Sequence, residues 1–422
     1  MTVNKPVGGA SPAGFFFLSK LFGLPGSVIL AFGFVSRIST TWYTNWMDRK
    51  LLYSASVLVG SMVGVGIFGL PYAFAQAGFW VGMGLLAVIA LATLLVDLMY
   101  GEVILRTHAS HQIMGYARLY LGPYAQRLLF FSAVLMGYVG LLAYIIISGD
   151  FLNNLLSSFF YTPSATYSIL FGVVLSLAVL RGLKSVSHVE LFFSGLFVVV
   201  MGLILFTGWS SIQPANFVGF NRANIALPYG VLLFAFGGLL AVPIQRQLLM
   251  GRERKLWSAI ALAVLFTAGL YAIFITTVVG VSGLATTPDA ISGLYQFLGS
   301  KITILGSLFG TFAITTAFLM HASAMVNTFH QDFKIHRFNA WLLAVAPPMV
   351  LFIIGIRSFI GIISLAGGVA LALEQILIVF LFARAKSRGD RLPEYSLNIP
   401  TWLLYTLMAM FSAGIVYFLF FH

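Results

Sequence analysis

The sequence predicts an all-α membrane protein that crosses the bilayer many times. Apolar residues make up 60% and charged residues only 8% of its 422 positions, whereas soluble proteins carry about 25% charged residues. The apolar runs also have the length of membrane-crossing helices, about 20 residues each. They fall near residues 51–75, 79–105, 127–149, 166–182, 190–208, 227–249, 257–281, 302–328, 339–356, 359–384 and 400–421. We therefore predict eleven transmembrane helices, which we number as spans one to eleven.

The placement of basic residues predicts the orientation of these spans. With the N-terminus inside, nearly all Lys and Arg residues of the loops fall on one side, and only Arg222, Lys301 and Arg357 fall on the other. The positive-inside rule then places the N-terminus of this multi-pass cell membrane protein in the cytoplasm. The net charge of +12 is explained by this topology, so we expect the lipid bilayer rather than nucleic acid as a partner.

The chain is predicted to have a leader followed by one membrane domain. Residues 1–48 include an apolar stretch at 14–36, but Lys20 and Pro25 interrupt it, and a crossing there would reverse every later loop against the charge rule. We interpret 1–48 as a cytoplasmic or interfacial leader. Residues 49–422 form one domain, since no loop has the composition of a linker. Without cysteine, the chain offers no thiolate for catalysis or metal binding, and no cofactor is expected.

Two spans in different halves of the chain contain glycines that are followed by a proline. Span one reads Gly-Ser-Met-Val-Gly-Val-Gly-Ile-Phe-Gly-Leu-Pro over 60–71, and span six reads Phe-Ala-Phe-Gly-Gly-Leu-Leu-Ala-Val-Pro over 234–243. Because glycine and proline weaken helices, both spans are predicted to break in mid-membrane and to leave backbone groups unpaired. Unpaired backbone is tolerated there only where it lines a cavity or meets a ligand. Such a matched pair indicates a transporter's binding site.

The glycines of span one also match two other sequence motifs. Residues 64–69 match the dinucleotide-binding pattern G-x-G-x-x-G, but no strand–turn–helix unit surrounds them, so this interpretation is rejected. Gly60 and Gly64 also match the small-residue motif of helix packing. That alternative stays open, although it does not explain why Pro71 and Pro243 follow the glycines.

The ends of two broken helices predict the chemistry of the ligand. A half-helix that begins in mid-membrane presents bare N–H groups and about half a positive charge, which suits a carboxylate. The carbonyl groups at the end of the other half suit an ammonium group or a metal cation. Together the two ends match a zwitterion.

Four segments carry a resemblance to a known family. Residues 60–74 resemble the first helix of the amino acid–polyamine–organocation superfamily. Residues 234–243 and 143–152 look like its amino acid/auxin and aromatic amino acid permease branches, and 313–319 is similar to the eighth helix of the aromatic and hydroxy amino acid (tryptophan/tyrosine) permeases. The resemblance runs from about residue 50 to the end.

This resemblance implies the leucine-transporter-type fold. That fold contains two inverted repeats of five helices, in which helices one and six are broken. The first repeat would cover about 49–208 and the second about 226–385, and 400–421 would form an extra helix.

The resemblance also implies a site for an amino acid at the two breaks. The amides of Gly64, Val65 and Gly66 would hold its carboxylate. The carbonyl groups near Met62, Phe234 and Gly237 would accept hydrogen bonds from its ammonium group. The rings of Phe236 and Tyr138 would wall the pocket for its side chain.

A sodium site is implied beside the first break. It would use the carbonyl groups of Gly60 and Val63 with the hydroxyls of Thr315 and Thr316, all hard oxygen ligands. The alternative is that these threonines bond the carbonyl one turn back, as they do readily in membrane helices. A second sodium site of the family needs an asparagine where this chain has Ile67, so we expect that site to be absent.

Proton coupling is the rival of sodium coupling. An ionisable residue inside a span costs about 2.5–3.5 kcal/mol on insertion scales, which makes each one a functional candidate. Glu374 in span ten is the most deeply placed acid. Asp97 and Glu102 lie toward the cytoplasmic end of span two, and His321 in span eight is a candidate because histidine is the side chain whose ordinary pKa lies nearest neutrality. A structural role in helix pairing is the alternative for each.

The resemblance predicts a secondary active transporter rather than an enzyme. It would import a neutral amino acid by alternating access, coupled to a proton or sodium gradient. Leu239 and Leu240 stand where many relatives have a polar residue or histidine, so we expect an aromatic or large aliphatic substrate. An uncoupled exchanger or facilitator is the alternative. An ion channel or an intramembrane enzyme is disfavoured, because both halves contain a broken helix and the histidines are scattered.

Overall fold

The computed structural model describes residues 49–157, 159–181 and 200–420. The predicted leader at 1–48 and part of span five, 190–208, lie outside the described residues. Residues Lys50–His422 form one compact unit. The described ranges consist of helices and connecting turns, and they contain no strand.

The first span consists of two helices at a marked angle. Helix α1 covers Arg49–Met62 and α2 covers Gly66–Ala77, and their axes are bent by 59° at the residues between them. Pro71 lies inside α2, so the bend lies at the glycines and not at the proline. The chain then turns at Gly78, whose φ of +115° favours glycine.

The described part of the first half contains five more helices. A short helix, α4, connects two long ones on the side that the charge rule assigns to the cytoplasm. Their bounds are Phe79–Leu105 (α3), Ile113–Tyr120 (α4), Pro123–Leu156 (α5), Ser164–Leu180 (α6) and Val200–Ser211 (α7).

The second half begins with another interrupted span. Helix α8 ends at Ala235, a 3-10 turn covers Leu239–Ala241, and α9 follows directly. A π-helical turn at Gly367–Leu371 joins α13 to α14. The bounds are Leu227–Ala235 (α8), Val242–Leu248 (α9), Leu256–Ser282 (α10), Ser300–Asn327 (α11), Arg337–Ile353 (α12), Phe359–Ala366 (α13), Ala372–Arg388 (α14) and Thr401–Phe420 (α15).

Many of these helices are long and apolar enough to cross a membrane. Within the described ranges, seven segments meet this condition by length and composition, among them the interrupted Arg222–Leu248, and the bent α1–α2 pair makes an eighth. Three shorter apolar helices, α6, α7 and α12, account for the remaining predicted spans. The number of actual crossings stays a prediction.

The interrupted helices lie at the centre of the packing. In α2, Ile67, Leu70 and Phe74 have no exposed surface. Helix α8 packs against the π-helical turn so closely that a methyl group on Gly367 would overlap the carbonyl of Gly230. Small residues allow this close approach of two backbones, as in other membrane helix pairs. The core of the molecule is therefore formed around the two interruptions.

Candidate binding site

The first interruption leaves backbone donors without acceptors. The last regular bond of α1 joins Val63 N to Val59 O at 2.8 Å, and Gly64 N then turns back to Met62 O at 2.8 Å. In the part of the chain that is described, the N–H groups of Val65 and Gly66 have no hydrogen-bond acceptor. These donors stand at the N-terminus of α2, where the helix dipole adds a partial positive charge.

The second interruption has the same character. Phe236 N bonds Leu232 O at 2.9 Å and Gly237 N bonds Phe234 O at 3.1 Å, after which the regular pattern stops. Among the described residues, the N–H groups of Gly238 and Leu239 find no acceptor, and the carbonyls of Phe236 and Gly237 receive no donor. Both spans thus leave peptide groups available at corresponding positions.

The two interruptions pack directly against each other. A methyl group on Gly66 would lie 2.9 Å from the Ala235 Cα and 3.1 Å from the Phe234 ring. A methyl group on Gly238 would lie 2.9 Å from the Met62 Cγ. At Gly66 the obstructing atom belongs to the backbone, so this position requires glycine, whereas at Gly238 the close atoms belong to the side chains of Leu58 and Met62. Each break thus approaches the last residues of the other span's first half-helix.

Tyr271 of α10 joins the two interruptions by hydrogen bonds. Its hydroxyl lies 2.8 Å from Met62 O and 2.8 Å from Ala235 O, the last residues of α1 and α8. The side chain is fully buried, and its ring packs edge-on against Phe236 with 5.2 Å between ring centroids. One hydroxyl proton is thus shared between two helix C-termini. Sequence analysis missed this residue, although a tyrosine in the middle of an apolar span is a signal for such a bond.

Gly60 and Gly64 face space that no described atom fills. A methyl group on either residue would meet nothing within 4 Å. Packing between helices therefore does not require these two glycines, in contrast to Gly66. This observation argues against the helix-packing interpretation of the Gly60–Gly64 motif.

The predicted ammonium acceptors differ in their availability. Met62 O already accepts hydrogen bonds from Gly64 N and the Tyr271 hydroxyl, and Phe234 O accepts one from Gly237 N. A carbonyl has two lone pairs, so Met62 O is saturated in this conformation. Gly237 O receives no donor in the described chain and keeps its full capacity to bind a ligand.

The two aromatic residues predicted as pocket walls are placed differently. Phe236 packs on Tyr271 beside the breaks. The Tyr138 hydroxyl donates to Leu343 O on α12 at 2.8 Å, which directs its polar end to that helix. The structure adds the ring of Phe234, which lies against Gly66 and stays partly exposed.

The predicted sodium ligands are only partly free. Thr315 donates to Thr311 O at 2.7 Å and Thr316 donates to Ala313 O at 2.9 Å, as the structural alternative expects. Their oxygen lone pairs, and the carbonyls of Gly60 and Val63, receive no donor from the described residues. The described residues contain no group of three or more His, Asp or Glu suited to a metal ion.

The membrane-embedded acids differ in their partners. Glu374 accepts a 2.9 Å hydrogen bond from Ser132 of α5, whose hydroxyl also lies 3.0 Å from Ala370 O. His321 Nδ1 lies 3.4 Å from the Tyr144 hydroxyl. Asp97 is fully buried, and neither of its carboxyl oxygens has a hydrogen-bond partner in the described chain.

Glu102 fastens a loop across the end of α3. This loop, the strap, consists of residues 389–400 between α14 and α15. Glu102 accepts from Arg106 Nε at 2.7 Å, from Ser396 Oγ at 3.1 Å and from Leu397 N at 2.6 Å. The buried carboxylate is thereby fully paired, as a buried charge must be.

Tyr395 anchors the middle of the strap. Its hydroxyl donates to Leu98 O at 2.7 Å and lies against Gly101, where a methyl group would overlap it. Burial of the hydroxyl end, with the nearby carboxyls of Glu102 and Asp97, raises the pKa of Tyr395 well above its usual range. Tyr395 therefore remains a neutral donor.

Comparisons with known proteins identify the relatives of this chain. The Tryptophan/tyrosine permease family matches residues 47–419. Glutamine transporter 2 of Aliivibrio fischeri is 22% identical over 365 residues, which cover 84% of this chain and 94% of the relative. The Tryptophan-specific transport protein of Shigella flexneri is 22% identical over 380 residues, covering 84% and 91%. The Tyrosine-specific transport system 1 of Haemophilus influenzae is 24% identical over 370 residues, covering 82% and 90%.

A solved structure supports the fold. MhsT in complex with L-phenylalanine superposes with a TM-score of 0.57 and 17% sequence identity, covering 89% of this chain and 98% of that one. The overlap extends over nearly the whole of that protein. The predicted all-α, leucine-transporter-type fold is therefore confirmed.

Proposed function

Because the chain belongs to the tryptophan/tyrosine permease family, we propose that it imports a neutral amino acid with an aromatic or large aliphatic side chain. Family membership confirms the superfamily resemblance and makes the chain an amino acid transport protein of the membrane rather than an enzyme. The proposal adds the substrate class, the binding mode, coupling to a cation gradient, and a cytoplasmic N-terminus in the cell membrane. The observation that carries the binding mode is the packing of Gly66 against Ala235, which brings the two sets of unpaired peptide groups together.

The substrate carboxylate is assigned to the N-terminal end of α2. The free N–H groups of Val65 and Gly66 and the positive end of the helix dipole favour an anion there. Gly64 supports this assignment because it has no side chain and faces open space. A ligand can therefore approach the backbone closely at this residue.

The ammonium group is assigned to carbonyls of the two half-helix ends. Gly237 is favoured among the predicted acceptors because its carbonyl receives no donor from the described chain. Met62 and Phe234 contribute if their present bonds rearrange when substrate binds. The Tyr271 hydroxyl is the group that would release Met62.

An apolar side-chain pocket is supported by the residues at the second break. The ring of Phe234 adjoins Gly66, the ring of Phe236 packs on Tyr271, and the next two residues after the glycines are Leu239, which is buried, and Leu240, which is exposed. The relatives named for tryptophan and tyrosine fit this composition. Glutamine is the second candidate, because one similar relative is named a glutamine transporter.

Two cations are candidates for coupling. Sodium would use Gly60, Val63, Thr315 and Thr316, whereas a proton would use a buried acid, for which sequence analysis favoured Glu374. Each charge that moves inward contributes about 2.3 kcal/mol per 100 mV. One coupled cation of either kind is therefore sufficient to drive accumulation.

Uptake by the purified protein in liposomes tests this function. Labelled tryptophan, tyrosine, phenylalanine, leucine and glutamine should be presented with an inward proton gradient, an inward sodium gradient, or neither. We expect saturable uptake of an aromatic amino acid that one gradient raises above equilibrium. Absence of uptake for every amino acid would refute the function. If uptake is saturable and counterflow is intact, but neither gradient changes the uptake, coupling of transport to a cation gradient is refuted. The protein is then an exchanger or a facilitator.

A further inference from the structure

Asp97 is a membrane acid for which the proposed binding site has no use. Its side chain has 0% exposure, and both carboxyl oxygens lack a hydrogen-bond partner among the described residues. Glu102 on the same helix is equally buried but accepts three hydrogen bonds. The two acids therefore have different environments, and fastening of the strap explains only Glu102.

The position of Asp97 is between the strap and the binding site. Thr93, Asp97 and Gly101 recur every four residues and share one face of α3. Gly101 contacts the Tyr395 hydroxyl, and a methyl group there would lie 3.0 Å from Ile260 of α10. This face is thus covered by α10 and, at its cytoplasmic end, by the strap.

Further unpaired hydroxyls continue from Asp97 toward Tyr271. In the predicted topology α3 and α10 are antiparallel. From the contact between Gly101 and Ile260, Thr93 lies about two turns along α3, and Thr267 lies about two turns along α10 in the same direction. The hydroxyls of Thr93 and Thr267 are both buried without a hydrogen-bond partner in the described chain. Tyr271 lies one turn beyond Thr267, at the two interruptions. Polar groups therefore occur at successive levels between the binding site and Asp97.

No positive charge of the described chain compensates Asp97. Arg246 of α9 donates instead to the carbonyls of Ile104 and Thr107, at 2.7 and 3.2 Å, and Arg106 pairs with Glu102. The other titratable groups on elements packed against α3 are Tyr72 (α2), Tyr229 (α8), Lys255 at the start of α10, Tyr271 (α10), Glu374, Arg384, Lys386 and Arg388 (α14) and Tyr395 (strap). A charged carboxylate without a partner at this depth is costly. The neutral acid is the form that this conformation accommodates.

We propose that Asp97 carries the coupled proton of the transport cycle and that the strap controls its release. This inference rests on the proposed transport function. The carboxylate takes up one proton from a water molecule that enters from the binding-site side while the strap is closed. When the strap leaves α3, water reaches the acid, its O–H bond breaks, and the proton passes to cytoplasmic water. The carboxylate that remains is then solvated.

Asp97→Asn in reconstituted liposomes tests this assignment, because asparagine resembles the protonated acid in shape and charge. Substrate counterflow should persist, whereas accumulation driven by a proton gradient and the substrate-dependent acidification of the vesicle interior should both be lost. Glu394→Gln, which removes an acid that pairs with Arg391 inside the strap, is the control and should retain both. Glu374→Gln tests the rival acid in the same assays. Difference infrared spectroscopy should also show a protonated-carboxyl band in the wild type that is absent from Asp97→Asn.

The outcomes separate this inference from the transport function. If the wild type transports no amino acid, the proposed function fails. If the wild type transports but Asp97→Asn keeps proton-driven accumulation, or Glu374→Gln alone loses it, the assignment of Asp97 is overturned. Accumulation driven only by sodium would also overturn it. Failure of Asp97→Asn to fold would count against a neutral acid at this position.

Discussion

Gly66 lies against Ala235 so closely that a methyl group on Gly66 would stand 2.9 Å from the Ala235 Cα. These residues are 169 positions apart in the sequence (235 minus 66), and each adjoins an interruption of its own span. The contact therefore places the unpaired peptide groups of the two breaks next to each other, in one region of the molecule.

The first prediction concerns the two neighbouring glycines of the first break. Gly66→Ala should lower the free energy of unfolding by about 1–3 kcal/mol, because the added methyl group overpacks the contact with Ala235. Gly64→Ala should leave stability within about 0.5 kcal/mol, since its methyl group meets no described atom. Unfolding of both variants in detergent measures the difference. Equal destabilisation would contradict the packing described for Gly66.

The second prediction concerns space for the substrate at Gly64. Gly64→Val should abolish amino acid binding and leave the folded protein intact, because the side chain would occupy the approach to the free amides. Gly84→Val is the control, since a methyl group on Gly84 of α3 also meets nothing within 4 Å. Ligand-induced thermal shifts measure binding in both variants. Unchanged binding by Gly64→Val would remove Gly64 from the site.

The third prediction concerns the bridge between the two half-helices. Tyr271→Phe removes the hydroxyl proton that Met62 O and Ala235 O share, and a hydrogen bond contributes about 0.5–1.5 kcal/mol. We expect lower stability and faster amide hydrogen exchange at the ends of α1 and α8. Tyr229→Phe is the control because its single bond, to Met410 O, is long at 3.4 Å. Equal exchange in wild type and Tyr271→Phe would show that the bridge does not hold the breaks together.

The fourth prediction concerns the strap. Glu102→Gln weakens the charge-assisted bonds to Arg106 and Leu397, so the strap should open more often. Because the chain has no cysteine, Leu105→Cys provides a single buried reporter at the end of α3. Its labelling by a thiol reagent should accelerate in Glu102→Gln.

Glu394→Gln is the matched control for the strap. Glu394 pairs with Arg391 inside the strap and makes no hydrogen bond to α3 among the described residues, so the reporter should label at the wild-type rate. If both variants label equally fast, or neither differs from wild type, Glu102 does not fasten the strap.

The helices were largely predictable because their determinants are local. The predicted span at 79–105 coincides with α3, since Gly78 and Arg106 bound a continuous apolar run. The predicted span at 400–421 begins one residue before α15 and agrees with it up to Phe420, the last described residue. The interruptions also follow from local glycines, whose cost in a helix does not depend on distant residues.

The connections between distant residues were not predictable from this pattern. The Tyr271 hydroxyl meets Met62 from a position 209 residues away, and Glu102 meets the strap from 295 residues away. An isolated tyrosine or glutamate gives no indication of its partner. The sequence likewise did not indicate that Glu374 has Ser132 as a partner while Asp97 has no hydrogen-bond partner among the described residues. Glu374 as the coupling acid stays a prediction.

The central claim is that backbone groups at the two interruptions bind both charged ends of an amino acid. Binding of tryptophan, tryptamine and indole-3-propionate to the purified wild-type protein tests it directly, because the last two lack the carboxylate and the ammonium group respectively. The account predicts a thermal shift with tryptophan and a loss of at least tenfold in affinity for both analogues, about 1.4 kcal/mol or more. Binding of either analogue as tight as that of tryptophan would contradict it.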